Sequence, residues 1–159
     1  MEGASDTELF RWAARDDVDA AAYLKVVTDA AHVLDDLVDL DRRARPCDVL
    51  EALYAGLVGI PANPFYRAHR DVLDAVQAVA WANWHVATAL ERDNAHLHVA
   101  YIIRSSYIDL VVHVAAIVGG PEWAAIVARR IRIINQDETF EQYLDGLTRE
   151  SNLRDNGGH

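Results

Sequence analysis

Apolar residues recur at three- and four-residue spacing through every long segment of this chain, and no run alternates apolar with polar residues between turn signals. The first pattern lays one apolar stripe along an α-helix, and the second is what a half-buried strand needs. The expected fold is therefore all-α: a bundle of about four long helices with two or three short ones.

Capping chemistry divides the chain. A short helix is expected from about residue 7 to 14, and Asp16 or Asp17 can cap a second that continues to about 41. A third helix starts near Asp48 and stops at Gly59 and Pro61. Asn63 before Pro64 reads as a cap with proline in the first turn, opening a long helix to about Arg92. The strongly apolar stretch from about 94 to 118 is expected as one central helix ending at Gly119-Gly120-Pro121, where the next helix begins. Helices over about 122–134 and 138–147 complete the set. Residues 1–150 form a single helical domain on this reading, and 151–159 a frayed tail.

At 159 residues the chain is long enough to bury a core without staples, and its one cysteine, Cys47, excludes both an internal disulfide and a thiolate zinc site. The formal charge of −10 repels phosphate backbones and anionic lipid surfaces, so neither nucleic acid nor membrane is an expected partner. No continuous apolar run reaches the roughly 20 residues of a membrane helix, and the start MEGASDTELF is unlike a signal peptide. A cytoplasmic protein is expected, and a homo-oligomer is compatible with the composition.

The second helix carries the most informative polar pattern. Taking His32 as zero at about 100° per residue, Asp29 falls near 60°, Asp35 near −60°, Asp36 near 40° and Asp39 near −20°. Four aspartates thus crowd around one histidine. Aspartate is a poor helix-interior residue, and like charges three or four apart repel by a few tenths of a kcal/mol per pair. A solvated face is one reading. The other is a divalent cation held by His32, Asp35, Asp36 and Asp39, because magnesium takes oxygen ligands from few carboxylates and keeps positions for water and substrate phosphates. Arg42, Arg43 and Arg45 follow directly, and arginine forks can hold a diphosphate that the metal bridges.

The phrase DDLVDLDRRARP resembles the first aspartate-rich motif of trans-prenyl diphosphate synthases. That resemblance implies Asp35, Asp36 and Asp39 as Mg²⁺ ligands, and Arg42 and Arg43 as diphosphate contacts. Two residues, not about four, separate the last aspartate from the arginine pair, and Ala44 stands where the family has glycine. A second aspartate-rich motif is missing, which argues against full prenyl transfer. Over most of its length, from HVLDDLVD through IPANPFYRAH and RSSYIDLV to VGGPEWA, the chain resembles small uncharacterised helical proteins of phages and prophages. This wider likeness implies an accessory phage gene and carries no assigned activity.

In the central segment His98, Tyr101, Ser105, Asp109 and His113 recur at helical spacing among apolar neighbours and are expected to be buried. A buried carboxylate needs a partner, so Asp109 is expected either to pair with Arg104 or His113 or to face the acidic stripe and complete its site. On the fourth helix Gln77, Trp81, Trp84, Thr88 and Glu91 share one side, a stripe better read as core than as a stacking platform. Two functions remain. One is a Mg²⁺-dependent hydrolase or transferase acting on a small phosphate or diphosphate compound, with Asp36, Asp39 and Asp109 as catalytic groups. The other is a non-enzymatic accessory protein whose acidic face binds a basic protein partner.

Overall fold

The structure is a computed structural model that describes residues 6–39, 45–135 and 138–156. Among these residues every regular element is helical: α1 (Asp6–Ala13), α2 (Val18–Asp39), α3 (Pro46–Tyr54), a π-helical turn (Ala55–Gly59), α4 (Ile60–Ala62), α5 (Pro64–Arg92), α6 (Leu97–Ile103), α7 (Tyr107–Asn135) and α8 (Phe140–Asn156). The all-α expectation holds.

Two of the expected caps are made as their side chains allow. Asp17 Oδ1 accepts from the backbone N–H of Asp19 at 3.0 Å and of Ala20 at 2.9 Å, satisfying two donors that the first turn of α2 leaves over. Asn63 Oδ1 accepts from Tyr66 N–H at 2.9 Å, while its Nδ2 donates to the Asp19 carbonyl at 2.9 Å. One asparagine thereby starts α5 and ties it to α2.

The core forms where α1, the first half of α2, α5 and α7 meet. Leu9, Phe10, Tyr23, Leu24, Phe65, Leu73, Ile108, Val111, Val114, Val127 and Ile131 are buried together there. Tyr23 stacks on Tyr66 with ring centroids 5.7 Å apart. At the far end α8 packs on α6, with the buried Tyr143 hydroxyl donating to Glu91 Oε1 at 2.6 Å.

In the apolar segment one expectation fails and one holds. The single central helix is interrupted between α6 and α7, because the buried Ser106 hydroxyl donates to the Ile103 carbonyl at 2.7 Å and accepts from Asn83 Nδ2 at 3.0 Å. A serine that bonds the preceding turn competes with the helix ladder. The stop expected at Gly119-Gly120 is made: Gly120 has φ 78, a left-handed conformation that glycine adopts without a Cβ penalty, the helical backbone breaks there in a kink, and Pro121 opens the next helical run, the second half of α7. At Gly119 a Cβ would lie 2.5 Å from Trp123, whose ring is set edge-on to Trp12 at 5.1 Å and whose indole N–H donates to the Ala13 carbonyl at 2.9 Å. The small residue lets Trp123 fold back and fasten α1 to the kink.

Within Leu97–Ile134 an 18-residue window reaches a mean hydropathy of 1.7, so by length and composition alone this stretch could cross a membrane. Here its inner side supplies core residues, among them Val111, Val114 and Val127. At the C-terminal end α8 continues to Asn156, past the point where the tail was expected to fray.

Candidate functional site

An apolar cleft of about 140 Å³ lies between α2, α5 and the start of α7. Val27, Ala31 and Leu34 form one wall, Gln77, Ala80, Trp81 and Trp84 the second, and Arg104, Tyr107 and Leu110 the third. The helical spacing explains the first two walls, since residues three and four apart share a face. Trp81 and Trp84 lie ring to ring at 5.3 Å. The expected tryptophan stripe thus lines a cleft that stays open.

Polar groups are few and held in place. Gln77 Nε2 donates to the Tyr23 hydroxyl at 2.7 Å, and burial pushes the Tyr23 phenol well above its ordinary range, so it stays neutral. Arg104 lies over the Tyr143 ring at 5.0 Å and reaches Glu138 at 3.8 Å. The indole N–H of Trp84 donates to Asp35 Oδ1 at 2.9 Å, which fixes that carboxylate beside the cleft and leaves Oδ2 without this bond.

The acidic stripe is divided between two surroundings. Asp35 is held by Trp84, which lines the cleft, whereas His32 and Asp29 are exposed, and Asp29 accepts two hydrogen bonds from Lys25 Nζ at 2.9 and 2.7 Å. Asp36 is half-buried. Arg92, from the end of α5, donates to the Val38 carbonyl at 3.5 Å and brings positive charge to the last turn of α2. Lysine, indole and arginine therefore offset part of the repulsion that the sequence pattern implied. The side chain of Asp39, and Arg42 and Arg43 entirely, lie outside the described residues. Among the described residues no three His, Cys, Asp or Glu side chains are gathered as a metal ion would require.

Asp109 does not join the stripe. It is paired, as expected, but with Arg132 across the Gly120 kink, and not with Arg104 or His113. Its side chain is 47% exposed, so the expected burial is corrected: the break at Ser106 rotates the stripe that an uninterrupted helix would have buried. The same break separates His98, which is exposed, and Tyr101, whose hydroxyl donates to the Glu138 carbonyl, from His113 on α7. Among the described residues the buried Nε2 of His113 has no hydrogen-bond partner. Arg104, Tyr107 and Leu110 entered no sequence-derived site, because only the chain break sets them against the tryptophans.

No family model, no curated protein and no solved structure matches this chain.

Proposed function

We propose that the chain, an accessory protein of phage or prophage type, binds a small molecule made of a compact apolar group and a phosphate or diphosphate. The observation that carries this reading is the apolar cleft, one of whose lining residues, Trp84, holds the Asp35 carboxylate. An apolar concavity with a few placed polar groups is the usual form of a small-molecule site. A cavity of about 150 Å³ holds a benzene-sized group, so the apolar part of the ligand has roughly five or six carbons. Its anionic end would lie toward α2 and Arg104. There Mg²⁺ held by Asp35 and Asp36 with Asp39 would neutralise phosphate oxygens, Arg42 and Arg43 would hold the distal phosphate, and an aspartate would accept the proton of an attacking water, while the exposed His32 takes no part. Asp109, committed to Arg132, is no part of this site.

The test is a thermal melt and calorimetric titration with Mg²⁺ alone, Mg²⁺ with pyrophosphate, and Mg²⁺ with isopentyl diphosphate. At a hundredfold over its dissociation constant a ligand stabilises the fold by about 2.7 kcal/mol. The isopentyl compound should bind tighter than pyrophosphate and only with the metal, and Asp35→Asn should remove the difference. Melts indifferent to millimolar Mg²⁺ and Mn²⁺ in all three arms would end this reading. They would favour the second one, in which the outward side of the stripe, with Asp29 and His32 exposed, steers a basic protein partner in a salt-sensitive way.

A further inference from the structure

Residues 46–62 carry only two charged side chains, Asp48 and Glu51, yet none of the residues of α3, the π-helical turn or α4 is buried. The arm packs on α2 with its inner side, where Ile60 meets the core. On its outer side Leu50 is 66% exposed, Leu53 54%, Tyr54 66% and Leu57 76%. Their spacing of three, four and seven places all four in one arc of about 100°, with Asp48 and Glu51 outside it. Such a spacing is the seam along which two helices interlock their side chains. Exposed leucines one at a time need no explanation, whereas a continuous apolar stripe of this kind marks an interface.

We propose that a second copy of this chain covers the stripe, in a two-fold symmetric dimer whose axis passes near Leu53 and Tyr54. The stripe fits itself for three reasons. A two-fold contact sets the same patch against its own copy, so the patch must be self-complementary, and an uncharged apolar ridge is. Asp48, the carboxylate nearest its start, is already held by Arg45 at 2.8 Å, so little charge is brought together. Gly56, where an added Cβ would meet nothing within 4 Å, leaves room beside Leu57 for the partner's side chains. A basic or anionic partner would find no charge on this face to recognise. The dimer stands independently of the cleft and of any metal.

Sedimentation equilibrium on the full chain decides it. The wild type should give twice the 17.7 kDa of one chain at micromolar concentration. Leu53→Asp, which would place two carboxylates at the axis, should raise the dissociation constant at least about a hundredfold while circular dichroism stays helical. A wild-type monomer at 100 µM overturns the proposal, and so does a folded Leu53→Asp that remains dimeric. Should Leu53→Asp fail to fold, Leu57→Ser, at the most exposed position of the stripe, takes its place. It should weaken association about tenfold, and unchanged association would be as fatal.

Discussion

Ala20, Tyr23 and Leu24, in the first turns of α2, are closed off from solvent by α1, α5 and α7, whereas Leu34 and Leu37 farther along the same helix stay partly open and α3 beyond them buries nothing. Both stretches show the same helical period in sequence. What differs is the number of elements that arrive to cover them. The N-terminal half receives three, tied on by Asn63 and by Trp123. The C-terminal half receives the cleft on one side and α3 on another, and α3 brings its own apolar outer face. One half of the helix is therefore a scaffold, and the other half is where this chain has surface left over for ligands and partners.

Two leucines offer the largest effect by which to break that contrast. Leu73 on α5 is 0% exposed and Leu57 is 76% exposed. Leu73→Ala should cost about 2–5 kcal/mol, the lost transfer energy plus that of the cavity it leaves. Leu57→Ala should change the stability of the monomer by no more than about 0.5 kcal/mol. Urea unfolding of both variants at concentrations low enough to hold the monomer measures each. Equal costs would mean that the arm is part of the core.

The tie between α2 and α5 should give the next effect. Asn63→Ala removes an N-cap, typically about 1 kcal/mol, and strips the Asp19 carbonyl of its donor, for a total of about 1–2 kcal/mol. Asn63→Asp separates the parts, since its carboxylate can still cap Tyr66 N–H but cannot donate to Asp19. If Asp recovers all of the loss, the link to α2 contributes nothing.

These caps were legible in the sequence because their chemistry is local: Asp17 and Asn63 need only donors two or three residues away. The helical fold was legible for the same reason, being written in spacing. The break at Ser106 was not, since it depends on Asn83 arriving from another helix. Nor was the cleft, whose third wall exists only because of that break. The helix stop at Gly119-Gly120 was legible, but the space that Gly119 leaves for Trp123 was not. Of the acidic site the sequence showed the crowding of charge but not how Lys25, Trp84 and Arg92 partly offset it.

Asp109 should give the smallest effect and the sharpest test of how far the covered region extends along α7. Read as a carboxylate among Ile108, Leu110, Val111 and Val112, it ought to be buried, and removing it would then strand a buried cation at a cost above about 2 kcal/mol. In the fold, its side chain is 47% exposed and its partner Arg132 53% exposed. Water screens a pair in that position, and exposed ion pairs contribute about 0.2–1 kcal/mol. Asp109→Ala is therefore expected to cost less than about 1 kcal/mol, and Arg132→Ala a similar amount. The double variant should show a coupling no larger than either loss, with the difference shrinking in high salt as Coulomb screening takes over. A single-variant loss above about 2 kcal/mol that salt does not diminish would mean that the Gly120 kink closes over the pair in solution, and the boundary between covered and uncovered surface would then lie a full turn farther along α7.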